Sequence, residues 1–112
     1  MNLKNNFFEN VPSDSFGFIS HLSELNLSGH LKITSLSGSP FKKLSKLTNL
    51  SLNGCQIRSF NEHSVEGLEK LRFLDIGQNS ISQFPNQAFR NLANLEVLEI
   101  GLNYISELNS QG

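Results

Sequence analysis

Residues 71–94 read LRFLDIGQNSISQFPNQAFRNLAN, and this pattern returns 24 residues upstream and 24 residues downstream. The block LRFLDI at 71–76 corresponds to LTNLSL at 47–52 and to LEVLEI at 95–100. A fixed period of this length indicates stacked repeats, because one such unit cannot bury its apolar face without neighbours. In a protein of this kind we expect function to lie on a surface built from several repeats.

Each repeat, numbered from its first leucine, carries apolar residues at positions 1, 4, 6, 11, 14, 19 and 22. In residues 71–94 these positions hold Leu71, Leu74, Ile76, Ile81, Phe84, Phe89 and Leu92. We divide the single array into a partial repeat at 1–21, full repeats at 22–46, 47–70 and 71–94, and a partial repeat at 95–112. Since repeat 22–46 is one residue longer, we expect a bulge near residues 30–32.

The spacing of leucine, two residues, leucine, one, leucine, two, asparagine, one and leucine resembles the leucine-rich repeat family. The resemblance covers essentially the whole chain, in the 24-residue form with phenylalanine near position 19. It implies an α/β fold, a right-handed solenoid bent into a horseshoe arc. The parallel β-sheet would form the concave side, and loops or 3₁₀ segments the convex side. Extracellular members usually carry cysteine-bearing caps, and no cap is recognisable here, so we expect a piece of a longer array.

The alternation around Leu74 predicts which side chains form the core. Leu74 and Ile76 should point inward, and Phe73, Asp75 and Gly77 should point outward onto the concave face.

Position 9 follows the strand, where an asparagine can donate to and accept from the backbone of adjacent coils. Asn79 holds this position in its repeat, whereas His30 and Cys55 hold it upstream and are weaker substitutes. We therefore expect a less regular hydrogen-bond ladder in the N-terminal half.

Phenylalanines at position 19 should stack as a spine under the convex loops. Phe16, Phe41 and Phe89 hold this position, and Val65 interrupts the series. Larger neighbours should fill the gap that Val65 leaves.

Composition weighs against several classes of function. Nine Lys and Arg face ten Asp and Glu, and this balance disfavours a nucleic-acid partner, which would call for a basic stripe. No run of 18 apolar residues is present, so we expect no membrane span in this segment. The single cysteine, Cys55, permits no intramolecular disulfide and is predicted to be buried.

No motif predicts an enzyme, a cofactor site or a metal site. Ser39-Pro40-Phe41-Lys42 matches the S-x-x-K pattern but lacks the companion motifs of such enzymes. A loop serine and a solvated lysine are the better interpretation. The histidines have no metal-ligand spacing with Cys55 or with each other.

The predicted concave columns provide the candidate binding site. Position 3 reads Glu24, Asn49, Phe73 and Val97, and position 5 reads Asn26, Ser51, Asp75 and Glu99. Exposed apolar side chains beside charges suit a protein contact, although single exposed apolar residues are ordinary on any surface. The predicted partner-binding residues are Phe73, Asp75, Val97 and Glu99, with Leu102 and Tyr104 at the rim and Glu24 and Ser51 in the polar half.

Two N-x-S sequons lie on the same predicted face, at Asn26-Leu27-Ser28 and Asn49-Leu50-Ser51. Either asparagine would be a glycosylation site in a secreted protein. The alternative is that N-x-S arises by accident in a repeat rich in Asn, Leu and Ser.

The resemblance is to animal extracellular proteins such as Toll-like receptors and variable lymphocyte receptors. It implies a ligand-recognition glycoprotein of the extracellular space or cell surface, acting in signal transduction or innate immunity. The partner would be a protein ligand or co-receptor, alongside adjacent repeats or caps. The alternatives are a cytoplasmic scaffold or adaptor with the same fold, and structural spacer repeats without a binding role of their own.

Overall fold

The computed structural model describes residues 16–17, 19–29, 33, 35–36, 39–82, 86–90, 92–101 and 103. In chain order the elements are β1 (Glu24–Asn26), β2 (Asn49–Ser51), β3 (Phe73–Asp75), α1 (Asn86–Arg90) and β4 (Val97–Glu99). The four strands form one parallel sheet in the order β1-β2-β3-β4. Each repeat thus adds one strand beside that of the previous repeat, which confirms the predicted solenoid. The expected bulge at 30–32, with His30, lies outside the described residues, as does Phe84.

The strand register follows the repeat numbering. Glu24 pairs with Asn49, Asn49 with Phe73, and Phe73 with Val97. These partners are 25 residues apart in the first pair and 24 apart in the next two, so the extra residue of repeat 22–46 does not disturb the sheet. The ladder continues beyond the strands, because Leu52 N–H donates to the Asp75 carbonyl at 2.7 Å.

The core lies between the sheet and the convex turns. The central residues of the first three strands, Leu25, Leu50 and Leu74, are buried, while their neighbours along each strand are half-buried or exposed. This is the alternation expected of a strand with one face on the core. Leu98 of β4 is only partly buried and packs against the core from its edge.

The convex side repeats its own hydrogen bonds. At the end of three successive repeats the N–H of position 22 donates to the carbonyl of position 19, in Leu44, Leu68 and Leu92. Residues 40–43 and 62–67 form turns, as expected from the repeat pattern. The third convex segment is instead the short helix α1, which buries Ala88 against the core.

Asn79 joins two coils through its side chain. It is 5% exposed, and its Oδ1 accepts the N–H groups of Cys55 and Ile57 at 2.9 and 3.0 Å. Its Nδ2 donates to the carbonyls of Leu52, Ile76 and Gly77 at 2.9–3.0 Å. The amide therefore satisfies buried backbone groups on both repeats, the role that the sequence predicts for position 9.

Cys55 occupies the same position one repeat earlier and is buried. Its Sγ donates to the Leu27 carbonyl at 3.1 Å, which replaces one of the bonds that an asparagine amide would make. A thiol is a weaker hydrogen-bonding group than the amide of an asparagine.

Among the described residues, one stacked pair of rings joins two position-19 phenylalanines, and another joins a position-19 phenylalanine to Phe60. Phe16 stacks on Phe41 with centroids 6.2 Å apart, and Phe60 stacks on Phe89 at 5.8 Å. Phe89 meets Phe60 because Val65, at position 19 of the intervening repeat, has no ring. Phe60 is thus the larger residue that continues the stack.

Neighbouring convex loops lie in close contact. Gly67 has φ of 92°, and a Cβ built there would lie 2.9 Å from the Lys42 Cα. Glycine fits both the backbone conformation and the lack of space. On the same side Ser39 Oγ donates to Glu66 Oε2, which links two repeats across the surface.

Replacement of Asn79 by alanine is expected to lower the free energy of unfolding by about 2–5 kcal/mol, since two buried N–H donors lose their acceptor and the Leu52 carbonyl loses the Asn79 amide as donor. Urea denaturation measures the change. Asn94→Ala is the matched control, because Asn94 is exposed and makes one bond, to the Glu69 carbonyl at 2.9 Å. Equal effects of the two substitutions would contradict the role of Asn79.

The Ser39 hydrogen bond lowers the pKa of Glu66 below 4.5, and the positive charges of Lys42 and His63 act in the same direction against desolvation. A lowered folded-state pKa stabilises the protein above the unfolded value, and this contribution is lost as pH falls through the folded pKa. Glu66→Gln should therefore flatten the loss of stability below pH 4.5, measured by denaturation at each pH. Glu69→Gln, at an exposed carboxylate, should leave the dependence of stability on pH unchanged. An identical flattening in both variants would contradict the role of Glu66.

Candidate functional site

The first column of the concave face runs across the sheet at position 3. Glu24 and Asn49 are exposed, Phe73 is half-buried, and Val97 is 42% exposed. Val97 is the large apolar side chain with substantial exposure among the described residues. Because Phe73 and Val97 are register partners on β3 and β4, they form a short apolar strip.

The second column lies two residues further along each strand, at position 5. Asn26, Ser51 and Asp75 are half-buried, and Glu99 is exposed. Asp75 and Glu99 are register partners, so two carboxylates stand on adjacent strands beside the apolar strip. The sheet places these predicted residues together, while Leu102 and Tyr104 lie outside the described residues.

Asp75 is held in place by its own repeat and by the previous one. Its Oδ1 accepts the Gly77 N–H at 3.0 Å, and the Asn53 amide donates to Oδ1 and Oδ2 at 3.2 and 3.4 Å. The Glu99 side-chain carboxylate makes no hydrogen bond or ion pair within the described ranges, although the Glu99 backbone carbonyl accepts the Ile76 N–H at 2.9 Å. The two carboxylates thus differ: Asp75 is fixed, and Glu99 is available to a ligand.

Gly77, predicted to face outward, lies on the concave face but is buried there. A Cβ at this position would lie 3.0 Å from the Gly101 carbonyl oxygen, 3.3 Å from Asp75 Oδ1 and 3.4 Å from Asn53 Nδ2. Gly77, two residues after the end of β3, therefore forms the floor of the face and is covered by its neighbours. Alternation along a strand predicts which face a residue lies on, but not whether neighbouring side chains cover it.

Phe73 separates two depressions on the concave face. One, of about 350 Å³, lies over β1 and β2 and is lined by polar side chains that include Glu24, Asn26 and Asn49. The other, of about 340 Å³, lies over β3 and β4 and is lined by Asp75, Glu99 and the residues that follow these strands. Phe73 lines both and stands as a ridge between them.

Hydrogen bonds link the side chains of the polar half of the face, which lies over β1 and β2. Asn26 Oδ1 accepts the Ser28 N–H at 2.9 Å, and the hydroxyls of Ser28 and Ser51 lie 2.7 Å apart. Ser28 is buried at 8% exposure. Asn49 is exposed, and its side-chain amide has no hydrogen-bond partner in the described part of the chain.

Gln78 and Asn53 line the second depression and were not among the predicted binding residues. Gln78 has φ of 54° at position 8, where the two upstream repeats carry Gly29 and Gly54 at φ of 82° and 71°. A non-glycine residue in this conformation is uncommon and strained. The departure from glycine at position 8 is a sequence signal that could have identified Gln78.

The charge of the face is negative. Glu24, Asp75 and Glu99 lie in the columns at positions 3 and 5. In the repeats that contain β1 to β4, none of the described residues at positions 3, 5 and 7 is a Lys or Arg. The nearest described cation is Arg72, at the sheet's edge, where it pairs with Glu96 of the next repeat. The hydrogen bond between them raises the pKa of Arg72 and lowers that of Glu96.

The described ranges contain neither a cluster of metal ligands nor a helix long enough to cross a membrane. Histidine, cysteine and carboxylate side chains do not gather there in a group of three or more that could hold a metal ion. The helix found in those ranges is too short to cross a membrane.

Comparison with known proteins agrees with this geometry. A family model described as leucine rich repeat matches residues 1–57 and 20–81. The chain is similar to TLR13 in the crystal structure of the TLR13–ssRNA13 complex, with 32% identity over 87% of this chain and a TM-score of 0.78. It also resembles a leucine-rich repeat protein of Leptospira interrogans in fold, with 21% identity over 97% of this chain and a TM-score of 0.82. It spans 14% of the first of these chains and 26% of the second. No curated protein matches the sequence.

Substitutions of the two carboxylates should separate their roles. Asp75→Ala is expected to lower the free energy of unfolding by about 1–2 kcal/mol, because the buried Gly77 N–H loses its acceptor. Glu99→Ala should change it by no more than about 0.5 kcal/mol, since Glu99 is exposed. Chemical denaturation of the two variants decides the point, and a loss of stability from Glu99→Ala as large as from Asp75→Ala would contradict the assignment.

Proposed function

Since the chain belongs to the leucine-rich repeat family, we propose that its repeats act in an extracellular or cell-surface protein that recognises a protein ligand. Leucine-rich repeats serve as protein-interaction modules, and the parallel sheet of this chain provides a continuous face for such a contact. The proposed contact surface is the half of the sheet formed by β3 and β4. Signalling downstream of ligand recognition belongs to the same proposal.

The observation that carries the proposal is the position of Phe73. Its ring stands between two depressions and beside the exposed Val97, its register partner. Aromatic side chains surrounded by polar groups are enriched among residues that dominate binding energy. The strip formed by Phe73 and Val97, with carboxylates next to it, has this composition.

The charge of the surface favours a ligand that presents a lysine or arginine beside an apolar side chain. Glu99 is exposed and can pair with such a cation, while Asp75 is already oriented by Gly77 and Asn53. The fixed carboxylate adds charge complementarity without a further loss of side-chain entropy. A phosphate backbone would be repelled by the same carboxylates. The RNA in the TLR13–ssRNA13 complex is therefore a poorer guide to this face than a basic protein.

An extracellular location is supported by the similarity to TLR13 and by the exposed sequon asparagine, Asn49. The free Cys55 does not favour a cytoplasmic scaffold over an extracellular protein. Because Cys55 is buried in the core, it is shielded from oxidation in either compartment. Localisation of the native protein by cell fractionation tests this part, and exclusive recovery from the cytosol would contradict it.

The binding surface is tested by measuring the affinity of the full chain for a panel of extracellular proteins. Phe73→Ala should weaken binding of the true ligand by about 30-fold or more, the effect of losing a dominant contact residue. Glu99→Gln should weaken it less and reduce its sensitivity to salt. Glu62→Gln is the control, because Glu62 is an exposed carboxylate on the convex side. A ligand whose affinity depends on Glu62 and not on Phe73 would refute the proposal.

A further inference from the structure

We propose that Asn49, rather than Asn26, carries an N-linked glycan in the folded protein, and that the first sugar lies in the depression on the β1 side of Phe73. The inference rests on the proposed extracellular route, because N-glycosylation takes place in the secretory pathway. It adds a modification site to that proposal and limits the surface left for a protein partner.

The reaction needs the N-x-S sequence and an accessible side-chain amide. The donor is an oligosaccharide linked to a lipid pyrophosphate. The bond from the first sugar's C1 to the pyrophosphate oxygen breaks, and a bond from C1 to asparagine Nδ2 forms. The amide nitrogen loses one proton, and the lipid pyrophosphate leaves with the bonding electrons. Both sequons satisfy the sequence requirement. What distinguishes them is whether the folded protein can accommodate a glycan on each asparagine.

The two acceptor amides have different surroundings. Asn49 begins β2 with its side chain exposed on the concave face, and its amide is free of hydrogen bonds to the described residues. Asn26 ends β1 half-buried, with Oδ1 held by the Ser28 N–H at 2.9 Å. That bond fixes the Asn26 side chain beside Ser28, whose hydroxyl is hydrogen-bonded to that of Ser51. A bulky substituent is tolerated at Asn49 and would disturb this network at Asn26.

Strand geometry also makes the two sites mutually exclusive. Asn49 is the register partner of Glu24, two residues before Asn26 on the neighbouring strand. With about 4.8 Å between strands and about 3.3 Å of rise per residue, the two asparagines lie about 8 Å apart. Two branched glycans projecting from one face at this distance would collide, so we expect the folded protein to carry one glycan, at the exposed site.

The depression beside Asn49 suits a sugar ring. It holds about 350 Å³ and is bounded by Phe73 on one side and by Glu24 and Asn26 on the other. The C–H groups of a sugar carry partial positive charge and pack against the negative face of an aromatic ring. The hydroxyl and acetamido groups then meet the polar side chains opposite.

A glycan placed there covers the polar half of the sheet, including Glu24 and Ser51. Asp75, Val97 and Glu99 lie beyond Phe73 and stay open. The protein ligand is thereby confined to the β3–β4 half, where the apolar strip and the two carboxylates lie.

The test is to express the full chain behind a cleavable secretion signal in animal cells and to analyse the secreted, folded fraction by glycopeptide mass spectrometry. Asn49→Gln and Ser51→Ala should abolish the single glycan. Asn26→Gln should leave it in place, and so should Ser51→Thr, which keeps the hydroxyl of the sequon. A glycan at Asn26, glycans at both sites, or none would overturn the proposal.

The position of the first sugar has a separate readout. Its acetamido methyl protons should be shifted upfield by the ring current of Phe73, and Phe73→Leu should remove the shift while Asn49 stays occupied. An unshifted methyl signal would refute the stacking. Because the secretion signal is supplied, these outcomes do not depend on where the native protein resides; native localisation remains the test of the proposed function.

Discussion

The hydrogen bonds that each repeat makes with the next are the constraint on which the rest of this structure depends. A strand of three residues has almost no stability by itself, since ordering its backbone costs about 1–2 kcal/mol per residue. Here each strand is paired in register with its neighbour, and the Asn79 amide continues the pairing into the turn. Stability is therefore a property of adjacent repeats rather than of any one repeat.

The same constraint creates the binding face. Once the strands are locked in register, position 3 of every repeat falls in one column and position 5 in another. A change at one of these positions alters the surface without altering the core, because the central residues of the strands, Leu25, Leu50, Leu74 and Leu98, are the ones that pack on the core. The face is polar over β1 and β2 and mixed apolar and acidic over β3 and β4. Phe73 lies at the boundary between these two halves.

Much of this architecture could be predicted from the sequence, because the 24-residue period fixes which residues become neighbours. The register of Phe73 with Val97, the burial of Cys55 and the role of Asn79 all follow from position in the repeat. The period does not predict how a side chain folds over its neighbours. Asp75 turns back to the Gly77 N–H and covers this concave-face glycine, and Phe60 supplies a ring where Val65 has none. Such outcomes depend on rotamers and on space left by other repeats, which no single position encodes.

The most direct measurement of the central claim is amide hydrogen exchange at Cys55 and Ile57. Neither N–H lies in a strand, yet both donate to the Asn79 oxygen of the next repeat. If repeats stabilise one another through this amide, the two N–H groups should exchange as slowly as those of β2 and β3, and Asn79→Ala should accelerate both. Exchange as fast as that of the exposed convex turn at residues 62–63 would contradict the account.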